Sequence, residues 1–192
     1  MKTIDITSNG KLSKYKIPEK WSEIKVGEFM EIVKVETNDL LSDFQKSIDV
    51  INIVSGIPKD TIEDMDFDTE FSELVKTVDF LQTPVVEQEE KESVMIEGEE
   101  YFLKKDFDNK TAGEVASFDV IYKKNKSDLY TCLDELLPLF LRKKTDDGEL
   151  ERFKSSMMTR VDMFREKVNI SDVLSLFFYF SGGSKVSLKD LE

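Results

Sequence analysis

Apolar and polar residues alternate at the start of the chain: Ile4, Asp5, Ile6, Thr7, Ser8, then Asn9-Gly10, then Lys11 to Ile17. Asn-Gly between alternating segments predicts a two-residue hairpin, because both turn positions favour positive φ. Pro18 ends the second strand and Trp21 follows in a short irregular stretch. The period then changes. Phe29, Ile32 and Val33 recur at helical spacing within Glu28 to Val35, which predicts a helix. Leu40, Leu41, Phe44, Ile48, Ile51 and Val54 form the apolar stripe of a second helix over 39–55. Gly56 suits its left-handed cap and Pro58 stops it. Phe71, Leu74, Val75 and Val78 predict a third helix over 69–81, before Pro84.

Residues 85–100 break this pattern. Glu87, Glu89, Glu90, Glu92, Glu97, Glu99 and Glu100 face one lysine, Lys91. Such a stretch buries little apolar surface and reads as a solvated joint. Val94, Ile96, Glu97-Gly98, Tyr101 and Leu103 then alternate as a second hairpin. Thr111-Ala112-Gly113-Glu114 is a capping box that starts a helix. From here the first-half pattern returns at a near-constant offset. Lys16 to Trp21 is echoed by Phe102 to Phe107, and Val26-Gly27-Glu28-Phe29 by Ala112-Gly113-Glu114-Val115. Ile32 is echoed by Phe118. Phe44, Ile48, Ile51 and Val54 fall opposite Leu129, Leu133, Leu136 and Leu139. Chance agreement of two amphipathic patterns is the competing explanation; the hairpin, aromatic and Gly-Glu positions recur in order, which favours an internal duplication.

The expected fold is therefore mainly α, of the α+β class, in two tandem similar halves, each a small β-hairpin followed by about three helices. The first half is residues 1–84, the acidic joint 85–100 and the second half 101–181. An inserted helix is expected from Glu149 to Phe164, after the Asp146-Asp147-Gly148 turn. A Gly-, Ser- and Lys-rich tail, 182–192, is expected to be flexible.

Composition narrows the functions available. Of 192 residues, 40 are acidic and 27 basic, for a formal net charge of −13. Phosphate backbones repel such a surface, and the lysines are dispersed among acids, so direct nucleic-acid binding is not expected. The longest apolar stretch, Leu174 to Phe180, is too short to span a bilayer, so no membrane partner is expected either. The N-terminal residues lack a signal-peptide core. Cys132 is the single cysteine, which rules out an internal disulfide and reads as a small core residue on a helix. Histidine is absent, which removes the commonest general base and every Ser-His or Cys-His pair. No glycine spacing fits a phosphate loop.

Asp64, Asp66 and Asp68 at alternate positions resemble the start of a calcium loop. Thr69 and Val75, however, stand where that loop needs glycine and glutamate. The plainer reading is a solvated turn, with Met65 and Phe67 as core anchors and Asp68 or Thr69 capping the third helix. Val173 to Phe180 carries bulky apolar residues around too much of a helix for one amphipathic face. Such a helix is either central in the core or shared with another protein. Leu174, Phe177, Phe178 and Phe180 are the candidate partner interface.

Two segments, Ile17-Pro18-Glu19-Lys20-Trp21-Ser22-Glu23-Ile24 and Gly27-Glu28-Phe29, together with Ser55-Gly56-Ile57-Pro58, resemble small helical proteins from the structural-gene blocks of tailed bacteriophages, particularly those of Bacteroidetes hosts. Tyr101 to Phe118 and the Phe-rich terminal helix extend the resemblance over most of the chain. It implies a non-enzymatic virion assembly protein in the host cytoplasm. Such a protein binds other phage structural proteins as a tail assembly chaperone, or stays in the virion as a head–tail or virion structural component. It implies no catalytic residues, cofactors or metal, and a homo-oligomer is a further expectation. Two other readings stand beside it. One is a carboxylate-dependent or metal-dependent hydrolase. The other is an acidic DNA-mimic inhibitor, which needs its acids on one face, whereas here they are dispersed outside the joint.

Overall fold

The first residues pair as the alternation requires. In the computed structural model, which describes residues 1–8, 11–83, 91–104, 110–125 and 128–178, β1 (Lys2–Ser8) runs antiparallel to β2 (Lys11–Ile17). Ile4 faces Tyr15, Ile6 faces Ser13, and pairing extends to Ser8 opposite Lys11. Asn9-Gly10 lies outside the described residues. A 3-10 turn, Trp21–Glu23, leads into α1 (Val26–Glu36). Then come α2 (Asp43–Ser55), the short α3 (Lys59–Glu63), a π-helical turn Phe67–Phe71 continuing into α4 (Ser72–Val78), and a 3-10 turn Asp79–Gln82.

The second hairpin is β3 (Ser93–Ile96) with β4 (Glu99–Leu103), turned through Glu97 and Gly98, both at positive φ. It is followed by α5 (Ala112–Lys124), a 3-10 turn Tyr130–Cys132, α6 (Leu133–Phe140) and the two-residue β5 (Leu141–Arg142). A 3-10 turn Ser155–Arg160, α7 (Val161–Lys167) and α8 (Ile170–Phe178) complete the described chain. β5 pairs with β4, so the second sheet has three strands in the order β3-β4-β5. The fold is α+β, with eight α-helices and two small antiparallel sheets among the described residues.

Helix α1 is central. Val26, Phe29, Met30, Ile32 and Val33 are all buried. They belong to a core that also takes Ile48, Ile51 and Val54 from α2, Leu133 and Leu137 from α6, Phe164 from α7, and Ile170, Val173 and Leu174 from α8. The chain after α7 returns to the start of α1. Val26 N–H donates to Val168 O at 3.0 Å, and Ile170 N–H to Ile24 O at 2.9 Å. Trp21 sets its ring edge-on to Phe29 and Phe80, and its indole N–H donates to Thr83 O at 3.0 Å.

Caps account for several boundaries. Ser42 accepts from Gln45 N–H and opens α2, Gly56 closes it at φ 69°, and Thr111 with Glu114 opens α5. These reciprocal bonds satisfy donors that a helix end leaves orphaned. They also correct the expectation for the second helix, which begins at Asp43 rather than 39. Leu40 is 92% exposed and Phe44 49%, so the buried stripe is Ile48, Ile51 and Val54, joined by Val50.

The third helix is interrupted rather than continuous. The expected helix over Glu149 to Phe164 is a second correction. Gly148, at φ 82°, turns the chain back, Thr145 N–H donates to Glu149 O at 2.8 Å, and Glu151 N–H donates to Lys143 O at 2.9 Å. Pairing with the strand end outweighs helix propensity here, and helix resumes only at Ser155–Arg160 and α7.

Candidate functional site

Among the described residues, Arg142 is the largest fully buried side chain. It sits at the end of a leucine-rich run, where the turn into β5 carries it inside. Its guanidinium closes the C-terminal end of α6, donating to the carbonyls of Pro138 and Leu139, the latter at 2.6 Å. The same group donates to Glu114 Oε1 at 3.1 Å and lies over the Phe153 ring, 5.4 Å from its centroid. Glu114 comes from the first turn of α5. Its carboxylate also accepts from Lys104 Nζ at 2.7 Å and from Thr111 N–H at 2.7 Å. Burial acts to raise the Glu114 pKa, but the Lys104 and Thr111 hydrogen bonds win and hold it at about 2. Burial acts in the opposite sense on Arg142 and lowers its pKa, while Glu114 opposes that. One carboxylate thus ties the start of α5 to the end of α6 and to the end of β4.

This network forms one wall of a cleft of about 730 Å³, lined also by Phe102, Lys144, Glu149 and Arg152. Glu151, on its rim, is held by Arg160 in a two-bond fork and by Lys143 N–H at 3.0 Å. Two of its carboxylates are paired within the chain: Glu114 with Lys104 and Arg142, and Glu151 with Arg160. Chemically, the arrangement holds two helix ends in register and presents the Lys144 ammonium over the Phe102 ring at 3.9 Å. Only faint traces of it were legible in the chain: an arginine closing an apolar run, and the third residue of a capping box.

The residues singled out from the sequence are placed apart from this cluster or inside the core. Cys132 is 0% exposed, and burial, with Glu135, Asp128 and Asp134 nearby, pushes its thiol up to about 12. Its Sγ lies 3.4 Å from Asp128 O and 3.5 Å from Leu129 O, within a helical turn. Asp66, rather than Asp68 or Thr69, caps the helix after it; its Oδ1 accepts from Thr69 N–H at 3.0 Å and Thr69 Oγ1 at 2.6 Å. Phe67 is 61% exposed, so it is not a core anchor. Among the described residues, no group of three Cys, Asp or Glu side chains is placed to hold a metal ion, and no helix is long and apolar enough to cross a membrane. Leu174 is 5% exposed and packs in the core, so it offers no open surface. The side chains of Phe177 and Phe178, and the whole of Phe180 and Phe107, lie outside the described residues.

Exposed apolar side chains gather elsewhere, in two places. Phe44 and Phe67 stand beside the buried Phe71, with ring centroids 5.1 to 5.9 Å apart, and Leu40 lies just before them in the chain. Helix α5 buries only Glu114 and Ile121. Val115 is 51% exposed, Val120 64%, and Phe118 and Tyr122 36% each. The Phe118 and Tyr122 rings stack one turn apart with centroids 5.8 Å apart. Val115, Phe118 and Tyr122, spaced three and four residues apart, share a helix face, and Val120 lies on the opposite side. Single exposed hydrophobes are ordinary, whereas clustered aromatics on an otherwise charged surface mark contact sites. Comparison of the chain with protein-family models, curated proteins and solved structures finds no match.

Proposed function

We propose that this chain is a non-enzymatic phage virion assembly protein, built from two tandem similar halves. It binds another phage structural protein in the host cytoplasm, as a tail assembly chaperone or as a head–tail or virion component. The observation that carries the reading is the pair of exposed apolar patches, around Phe44 and along α5, on a chain of net charge −13. Aromatic side chains held in place by stacking are good anchors for a protein partner, because they bury large area and lose few rotatable bonds. The surrounding acids keep such a protein dissolved while it waits for that partner.

The duplication has support from local geometry. Both halves place a hairpin before a helix, and Ile17 to Val26 spans the same length as Leu103 to Ala112. Both helices open Val/Ala-Gly-Glu. In each, the glutamate reaches back to the cap residue's N–H at 2.7 Å: Glu28 to Lys25 and Glu114 to Thr111. In each, an α2-like helix follows, α2 in one half and the Tyr130–Phe140 stretch in the other.

Co-expression with the structural proteins encoded beside it, followed by affinity purification and a mass measurement, tests the functional reading. A defined complex that Val115→Glu or Phe67→Ser weakens is the expected result. Recovery of this chain alone beside every virion protein would overturn it. Its presence or absence in purified particles separates component from chaperone.

A further inference from the structure

We infer that the Phe44 patch receives a basic segment of a partner protein, one that carries bulky apolar side chains among its lysines and arginines. The inference deepens the functional reading above and rests on it, in taking this patch for a protein contact. Two turns far apart in the chain build the patch. Ser42 and Gln45 exchange the bonds of a capping box at the start of α2, which fixes the backbone that carries Phe44. Asp66 Oδ1 accepts from Thr69 N–H at 3.0 Å, and Asp66 N–H donates to Glu70 Oε2 at 3.2 Å, which fixes the turn that carries Phe67 and Phe71. The three rings meet with Phe71 buried and Phe44 and Phe67 exposed. Rings already held in place lose little freedom when a partner covers them, which suits an anchor site.

Charge decides what kind of partner fits. Between residues 39 and 70, nine acidic residues stand against two lysines, a net charge of −7 out of the −13 carried by the whole chain. Asp39, Asp43, Asp64, Asp66, Asp68 and Glu70 are all exposed, and among the described residues none of the six forms an ion pair. The two lysines are already engaged, Lys59 with Asp49 and Lys46 with the Glu36 carbonyl. Exposed acids elsewhere do have cations: Glu31 has Lys34 and Arg165, Asp119 has Lys123, and Glu99 has Lys143. Unpaired like charges beside an apolar surface set up a negative potential that draws in cations and repels acidic chains, a second copy of this one included. A purely cationic surface would answer the acids and leave the rings in water. A purely apolar one would cover the rings and strip water from the acids without replacing it. A segment with both kinds of side chain answers both.

The test is fluorescence anisotropy of a labelled peptide of leucine and lysine at amphipathic-helix spacing, titrated with the full chain. The native chain should bind it more tightly than either of two control peptides, one with glutamate for lysine and one with serine for leucine. Binding should weaken as salt rises. Phe67→Ser should weaken it about tenfold or more, as should Asp43→Asn combined with Asp68→Asn at low salt. Val115→Ser on α5, and Asp146→Asn combined with Glu149→Gln, should stay within about twofold of the native chain. Equal binding of the serine peptide, or no effect of Phe67→Ser, would overturn the inference. So would a loss from Asp146→Asn with Glu149→Gln as large as that from the patch acids, since net charge alone would then explain binding. Light scattering that shows self-association abolished by Phe67→Ser would give the patch to a second copy and overturn it too. Far-UV circular dichroism and Trp21 fluorescence check folding, and Phe44→Ser carries the same test if Phe67→Ser unfolds. A virion protein captured despite Phe67→Ser but lost with Val115→Glu leaves the proposed function standing and sinks the basic-segment inference. Peptide binding at the patch with no virion protein captured does the reverse.

Discussion

Removing Glu114 is the sharpest perturbation of this fold. Glu114→Ala strips Arg142 of its charged partner while four surrounding backbone and ring contacts keep the guanidinium inside. Breaking a buried pair by deleting one partner costs about 3–5 kcal/mol, since the remaining charge is left uncompensated. Linkage offers a second route to the magnitude. A carboxyl that ordinarily titrates at 4.5 is held at about 2 in the folded chain, which corresponds to about 3 kcal/mol at ~1.4 kcal/mol per pH unit.

The sign follows from the lowered pKa: this stabilisation is complete above pH 4.5 and is lost as pH falls through about 2. Near pH 3 only about 1.4 kcal/mol of it should remain. Urea unfolding followed by the fluorescence of Trp21, the single tryptophan and 6% exposed, reads both quantities. At pH 7 the alanine variant should lose about 3–5 kcal/mol. The gap between native chain and Glu114→Gln should narrow by about 2 kcal/mol between pH 7 and pH 3. A loss under about 1 kcal/mol at pH 7, or a gap independent of pH, would refute the view that this carboxylate ties α5 to α6. The double variant Glu114→Leu with Arg142→Met should be far less damaged than Glu114→Ala, because no buried charge is stranded.

Four further outcomes follow from local geometry. Gly27→Ala should destabilise by about 1–3 kcal/mol in thermal or urea melts, since its Cβ would lie 2.7 Å from Arg165 Cγ and 3.2 Å from Arg165 O. Gly113→Ala at the corresponding position meets the Phe153 ring edge at 3.3 Å and Thr111 Oγ1 at 3.9 Å and should be within about 1 kcal/mol of neutral. Ser42→Ala, removing both the acceptor for Gln45 N–H and its half of the capping box, should lose about 1 kcal/mol in the same melts. Cys132 should resist a thiol reagent in the native state and react at the rate of unfolding, which a labelling time course against urea concentration measures.

How much of this was legible beforehand depends on how far each interaction reaches along the chain. Both hairpins, the start of α5 at Thr111-Ala112-Gly113-Glu114, and the end of α2 at Gly56 were readable. Each is decided by residues a few positions apart, through turn φ angles and caps. The amphipathic period likewise announced α1 and the inner part of α2. What the chain could not announce is who covers whom. Leu40, Phe44 and Phe67 are as apolar as Ile48 and Phe71, yet remain exposed, Phe44 and Phe67 packing on one side against Phe71 and open on the other. The outer side of α5 is exposed and α1 is buried for a related reason: α2, α6, α7 and α8 all pack on α1, whereas α5 packs on α6 through Ile121.

The leucine run before Arg142 reads as a simple apolar helix until β4 captures Leu141 and Arg142 as a third strand. The stretch after Glu149 reads as helix until Lys143 and Thr145 pair with it. Local turn and cap chemistry was therefore settled within short windows of sequence. The buried Glu114–Arg142 pair, the third strand and the two open apolar surfaces were settled only when segments far apart in the chain met, since burial belongs to a place in the fold rather than to a residue type.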